Sequence, residues 1–570
     1  MLGELSYEGM LRPEPVGEAD PAGFQDWRLA LTSGAEYRFA ARRGAFESWA
    51  VREGTALRDG QPADDPRALV VDARAELGLT GLRLADVLAE LTATVANEAT
   101  RIAAAPSAAE LSEMDYDTAD GKLTGHPRLV LNKGRVGFSG ADRARYAPEA
   151  GTTFALPWVA VRREHAAFRC TDDLTEESLL AEELGGRLAE FRSRLDDPGD
   201  FTLVPVHPWQ LDEILGTLYA AELATGVVIP VGESGDHYRP HQTIRTLANA
   251  SHPTRRDVKT AVSVRNTLVY RGLASAATLA APQVTTWLRT VHAGDELLRE
   301  RYRFDLLGEV ASVSVRHPLF GAIDELPYRF HETLGALWRD PIRAQLAPGE
   351  RAVSFAALPY RGEDGSVLAR LVRTSGMDPD AWLGRVLDLL LTPLLHWLLE
   401  HGVGFCPHGQ NLILVTDADG VPLRVAIKDF AQGVDLLDEE LPAYALLGAD
   451  AKADMLRWPA HLLVQSLFSS VFAGQLRFLA EIADAELDYA RPRLWARVRE
   501  IVGAYRDTHP ETAARFDACG LFAPDVERVT LNREHLAGQG FDKVERDDEF
   551  DVRHGRARNP LAGPDSGGAW

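Results

Sequence analysis

One stretch restricts the fold of this chain more than any other: FCPHGQNLILVTDADGVPLRVAIKDF, residues 405–430. Two apolar runs, Asn411–Val415 and Leu423–Asp429, flank TDADGVP, whose Asp, Gly and Pro residues favour chain reversal. Runs of this length and β-branched content read as buried strands, so an antiparallel hairpin is expected. Folding it symmetrically about Gly420 sets Asn411 opposite Asp429, Ile413 opposite Ile427 and Val415 opposite Val425. Opposed residues share a sheet face. An amide and a carboxylate then stand side by side at the open end of an apolar stripe, with His408 and Gln410 just outside it. Two readings of that pair follow. Asn411 and Asp429 are strand-end caps bonded to backbone, or they are oxygen ligands for Mg2+, a hard cation that uses one or two protein groups together with substrate phosphates.

A second signal is a spaced set of cations within HQTIRTLANASHPTRRDVKTAVSVRNTLVYRG, residues 241–272. Arg245, Lys259 and Arg271 lie in or beside strand-like apolar stretches, where a cation needs an anionic partner. Thr243 and Thr246 flank Arg245, and Thr267 precedes Arg271 by four residues. Hydroxyls beside such cations suit phosphate and carboxylate oxygens; internal salt bridges are the alternative in so acidic a chain. Arg255 and Arg256 follow Pro253 and read as solvated. A third, weaker signal is TGHPRLVLNKGRVGFS, residues 124–139, a Gly-rich basic stretch expected to be loop and strand that carries His126, Lys133 and Arg135.

Around these signals the chain reads as mixed α and β. Residues 1–80 resemble a small β-containing lobe, Leu84–Ala104 a helix, Phe201–Val206 a buried strand and Asp380–Glu400 a strong helix. Val227–Val231, Thr243–Leu247 and Ala261–Tyr270 read as further strands, and most of the chain from the hairpin to about residue 508 as helix. The apolar run Val386–Leu399 contains Asp388 and His396 and reads as a buried helix too short to span a bilayer. Divisions are expected at 1–200, 201–400 and 401–541, with a charged, then Gly- and Pro-rich, flexible tail over 542–570.

The formal net charge of −23 repels phosphate backbones and anionic lipid, so neither nucleic acid nor membrane is an expected partner. A local basic pocket still attracts a small anion, because screening acts within about 8–10 Å. The three cysteines, Cys170, Cys406 and Cys519, form no CxxC, and no basic-then-apolar leader opens the chain. Both observations fit a cytoplasmic protein. There is no GxxxxGK[ST], GxSxG, HExxH or strand-embedded GxGxxG, which removes the common P-loop, hydrolase, zincin and dinucleotide readings.

Four elements, in order, resemble the IucA/IucC family, the NRPS-independent siderophore (NIS) synthetases: GHPRLVLNKGRVGF, HQTIRTL, VKTAVSVRNTLVYRGL, and HGQNLILV with IKDF. The resemblance covers about residues 85–480 and returns at Asn559-Pro560-Leu561. It implies an α+β cupped-hand enzyme with fingers, palm and thumb, a distantly kinase-like palm, and often a homodimer. The implied activity is adenylation of a small carboxylic acid, commonly citrate, by ATP, followed by capture with an amine, hydroxylamine or alcohol. Carried over by position, Thr243, Arg245, Thr246 and Lys259 contact ATP phosphates. Thr267, Arg271, His408 and Gln410 hold the carboxylate, and Asn411 and Asp429 bind Mg2+. His126, Lys133 and Arg135 border the nucleotide side of the same cleft. His408, Arg271 and Lys259 are the catalytic candidates, with His408 a candidate base by residue type. The chain departs from the family at Cys406, where a Glu is usual, at Thr243, where a Ser is usual, and at Leu129-Val130, which replace a second His-Pro. A kinase-like phosphotransferase and a catalytically impaired ATP-binding relative are the rival readings.

Overall fold

The computed structural model describes residues 1–538 and 553–563 and is an α+β protein. An N-terminal antiparallel sheet of six short strands spans residues 14–62 and buries Leu29, Tyr37 and Phe39. Val87 and Leu91 of the helix Gly81–Ala103 close that core, as the apolar spacing of the segment requires.

The centre is an eight-stranded antiparallel sheet. Its strand order is Ala166–Cys170, Glu309–Val315, Gly335–Arg339, Asp257–Thr260, Thr246–Asn249, Val228–Pro240, Phe154–Arg162 and Phe201–Pro205. Beside it, Asp305–Leu307, Pro422–Lys428, Leu412–Thr416 and Arg351–Ser354 form a four-stranded sheet. The chain passes directly from Asp305–Leu307 into Glu309–Val315, so one continuous segment belongs to both sheets. Gly308 makes the transfer: a Cβ there would lie 2.4 Å from Thr285 Cγ2. The helix Pro379–Leu399 packs under the four-stranded sheet and donates the Trp382 indole N–H to the Gly420 carbonyl (2.9 Å). With 21 residues it is long and apolar enough to cross a membrane, as is Ala460–Leu487. The shorter span read from sequence is corrected on that point; it is burial, 89% of an 18-residue apolar stretch within Pro379–Leu399, that marks a core helix.

Three further expectations change. The hairpin forms, but one residue out of the symmetric register: Leu412 pairs with Ile427, Ile413 with Ala426 and Leu414 with Val425. The Asp417 carboxylate accepts the N–H groups of Asp419 and Val421 (2.9 Å each) and fixes the turn one position earlier. A bulge beyond Thr416 then shifts the ladder. Leu412, Leu414, Val425 and Ile427 therefore share one core, while Ile413, Val415 and Ala426 share another. The 124–139 stretch is loop whose one ladder contact is a bridge between Val136 and Arg265. Finally, the expected tail is ordered where it is described. Arg553–Arg558 pairs antiparallel with Asp525–Val529, and Leu561 is fully buried. The Asn559 side chain donates to the Leu521 and Ala523 carbonyls (2.9 and 2.8 Å), which pins the segment. The remaining positions of that tail, 542–552 and 564–570, lie outside the described residues.

Candidate active site

The two central sheets meet around a cavity of about 720 Å³. Sheet register builds its floor. Thr246 stands opposite Lys259, and Asp257 opposite Arg339, so Thr246, Asp257, Lys259 and Arg339 fall on one face. From the other sheet, Asp429 follows directly after Lys428 and reaches across. Its carboxylate accepts a charge-assisted hydrogen bond from Lys259 Nζ at 2.5 Å, while Glu309 lies 3.5 Å from the same ammonium. Burial alone would raise the Asp429 pKa. Lys259, Arg339 and Arg245 outweigh it and hold the carboxyl well below the usual range.

Three backbone positions at this cavity take left-handed angles that side chains other than glycine rarely adopt: Ile244 (φ 60°), Thr267 (φ 61°) and Asp429 (φ 78°). Two of them are β-branched, for which the conformation is a true outlier costing about 1–3 kcal/mol. Each turns the chain where a site residue must leave its strand. Ile244 lies between Thr243 and Arg245, and delays the expected strand until Thr246. Thr267 splits the expected strand Ala261–Tyr270 into the hairpin Val262–Asn266 and Val269–Arg271, bringing its own hydroxyl to the Arg271 guanidinium.

His126, Thr243, Arg245, Thr246, Lys259, Thr267, Arg271, His408, Gln410, Asn411 and Asp429 all line this one cavity. The register slip does not separate Asn411 from Asp429, but it changes their relation. The Asn411 carbonyl accepts the Lys428 N–H (3.1 Å), and Asp429 projects beyond the ladder. Burial lowers the His408 pKa to about 4 and the His126 pKa to about 3, so both rings are neutral at neutral pH. Nδ1 of His408 accepts the Gln410 N–H, and Nδ1 of His126 accepts the Arg128 N–H (3.3 Å each). The ring proton therefore sits on Nε2 in both, which makes each a hydrogen-bond donor there.

Lys133 and Arg135 do not line the cavity, which corrects their assignment to it. Lys133 is 1% exposed, pairs with Glu98 and donates to the Leu123 carbonyl (3.0 Å). Arg135 makes a two-pronged buried pair with Glu149. Both hold the 124–139 loop to neighbouring elements, and the anions they need come from the protein itself.

Several lining residues have only weak linear signals. Arg339 ends a strand and pairs with Asp257 (2.6 Å). Lys428 donates to the Tyr116 hydroxyl (2.8 Å), and burial and Arg339 lower its pKa to about 8. The Gln242 N–H is held by Asp120 (2.6 Å). The opposite wall carries Ser466, Ser469, Ser470 and Gln475, the last three within the π-helical segment Phe468–Leu476, whose widened turns have no sequence signature. Cys406 lies there too, its thiol pushed up to about 12 by burial and by Asp429 and Asp435, so it is an unreactive small wall.

The sequence model of the IucA/IucC family matches residues 115–360, and that of the ferric iron reductase FhuF-like transporters matches residues 380–542. The chain is 34% identical over 539 residues to the rhizobactin siderophore biosynthesis protein RhbF of Rhizobium meliloti, covering 92% of this chain and 89% of the relative. The chain belongs to the IucA/IucC family. Members of this family are NIS synthetases, and solved members share the fold. The aerobactin synthetase IucC of Klebsiella pneumoniae superposes with a TM-score of 0.85 at 30% identity, covering 99% of this chain and 96% of that one. ATP-bound aerobactin synthetase IucA from the same organism superposes at 0.80 with 20% identity, covering 98% of both.

Proposed function

We propose that this NIS synthetase uses ATP to adenylate one carboxylate of a small polycarboxylic acid and then joins it to an amine or hydroxylamine. The observation that carries the reading is the grouping of Arg245, Lys259, Arg271, Arg339 and Lys428 around one cavity, with Asp429 and Asn411 at its edge. A carboxylate attacking a phosphate brings two anions together, and preplaced cations lower the energy of that encounter. In this reading Thr243, Arg245, Thr246 and Lys259 hold ATP phosphates, while Thr267, Arg271 and Gln410 hold the acid. His408, neutral and protonated on Nε2, donates to the acid's carboxylate and is not the base. The acid's oxygen attacks the α-phosphorus and releases pyrophosphate; the nucleophile's nitrogen then attacks the acyl carbon and displaces AMP, shedding a proton.

Mg2+ fits the donor set: Asn411 and Asp429 offer an amide oxygen and an ionised carboxylate, the hard oxygen ligands it takes. When bound there it would neutralise phosphate charge. A cytoplasmic site of action is part of the reading, supported by three cysteines that are all free thiols.

The test is incubation of the pure chain with ATP, Mg2+, hydroxylamine and, in turn, citrate, succinate or 2-oxoglutarate. Hydroxamate and AMP in equal amounts, dependent on one acid, are expected. ADP as product would favour phosphotransfer instead, and ATP binding without turnover for any acid would overturn the ligase reading.

A further inference from the structure

Away from the cavity, three potential ligand atoms converge where helix ends meet. Asp295 caps the C-terminus of Ser275–Gly294, His396 lies in the last turn of Pro379–Leu399, and His401 follows that helix. Oδ2 of Asp295 lies 2.8 Å from Nε2 of His396 and 2.8 Å from Nε2 of His401. All three atoms fall within 4.8 Å of one another. Their side chains are 12%, 10% and 16% exposed, so the cluster is sheltered yet reachable by solvent.

We infer that Asp295, His396 and His401 form a site for one divalent transition-metal ion, Zn2+ by its ligand set. Two imidazoles and one carboxylate with an open position are a recurring three-ligand set for such ions. The surroundings are those of a metal-ligating histidine. Nδ1 of His396 lies 3.0 Å from the Tyr505 hydroxyl, which fixes the ring and accepts its proton when Nε2 offers a lone pair. Tyr505 is itself held by a stacked His509 ring, with centroids 4.2 Å apart. The second oxygen of Asp295 is not left idle, because the Leu298 N–H donates to its Oδ1 (3.0 Å). Glu400 and Glu511 act on the same Tyr505 hydroxyl and add negative potential around the cluster.

Ligands bound at about 2.0–2.1 Å in a tetrahedron sit about 3.3 Å apart. The two carboxylate–imidazole contacts therefore open by about half an ångström on loading, within reach of side-chain torsions. None of the three residues lines the cavity or enters the proposed chemistry, so the site stands apart from the ligase reading. It does touch the cavity's supports. His401 immediately precedes Gly402 and the strand Val403–Phe405, which leads into the loop carrying His408. Loading would pin the ends of Ser275–Gly294, Pro379–Leu399 and Arg491–Thr508 together.

The test uses the full chain, stripped with EDTA, dialysed, and titrated with Zn2+ against a chromogenic chelator in excess Mg2+. One equivalent of Zn2+ is expected, and Co2+ in its place should give the visible absorption of a tetrahedral ion. Asp295→Asn and His401→Gln should each weaken binding at least about 100-fold, and Tyr505→Phe about tenfold. His401→Gln retains bulk and polarity at a partly exposed position, so far-UV circular dichroism of the metal-free variant should match the unaltered chain. Zn2+ should raise the thermal midpoint of the unaltered chain and not that of His401→Gln. Less than one equivalent bound at micromolar Zn2+, or an affinity in Asp295→Asn and His401→Gln equal to that of the unaltered chain, would overturn the assignment and leave a hydrogen-bonded His–Asp–His knot.

Discussion

Replacing Lys259 by Met tests whether the two central sheets are tied electrostatically across the cavity. The ammonium sits between Asp429 (2.5 Å) and Glu309 (3.5 Å). Glu309 is fixed, because its other oxygen accepts the Ala431 N–H (2.7 Å). Without the ammonium, two carboxylates face each other. Breaking a fully buried pair at one partner costs about 3–5 kcal/mol, and an exposed pair is worth about 0–1 kcal/mol. The Lys259 side chain is 6% exposed and that of Asp429 is 33% exposed, so cavity water screens one end. The expected cost of Lys259→Met is therefore about 2–3 kcal/mol. Asp429→Asn leaves the ammonium with Glu309 and should cost less, about 1–2 kcal/mol. The double variant lacks both charges and should be more stable than the sum of the two losses by about 1–2 kcal/mol. Urea unfolding followed by tryptophan fluorescence measures all four corners of the cycle. All three variants should also lose acid-dependent AMP formation. Additivity within about 0.3 kcal/mol would refute a direct Lys259–Asp429 interaction.

Other predictions follow from the same geometry. Arg271→Ala should lower kcat/KM for the acid at least about 100-fold while ATP binding, read by calorimetry, persists, because a charge-assisted contact to the acid is lost; full activity would remove Arg271 from the site. Stability should fall as pH drops below about 6.5. The buried ring of His207 and the cavity-lining rings of His126 and His408, lowered to about 3, 3 and 4, stay neutral in the folded chain while the unfolded chain binds protons. Glu183, pushed up to about 7 by burial, takes up a proton on folding and opposes one of the three. The net difference is about one proton at pH 6.5 and about two near pH 5, so the slope steepens to roughly 2.7 kcal/mol lost per pH unit near pH 5, measurable as the shift of the urea midpoint. Leu561→Ala should cost about 2–5 kcal/mol in the same assay, because a fully buried side chain leaves a cavity.

Most of the site was legible in the linear chain because strand chemistry is local. Lys259 and Arg245 stand in apolar runs that only an anion justifies, and His408, Gln410, Asn411 and Asp429 flank a turn written in Asp, Gly and Pro. The same logic failed for Lys133 and Arg135. A buried cation looks alike in sequence whether its anion is a substrate or a protein carboxylate, and Glu98 and Glu149 come from other elements. It failed again at the hairpin register, where hydrogen bonds of the Asp417 side chain chose between two ladders of nearly equal hydrophobic pattern.

The amino-acid order by itself determined the mixed α and β content and the hairpin, because periodicity and turn chemistry act over a few neighbouring residues, and the resemblance to the IucA/IucC family is what implied one shared cleft for the candidate residues. Tertiary structure alone decided which cations face the cavity, which wall Ser469, Ser470 and Gln475 form, where the C-terminal strand docks, and that Asp295 meets His396 and His401. Those outcomes depend on contacts between positions tens to hundreds of residues apart, and no local pattern encodes the partner at the other end.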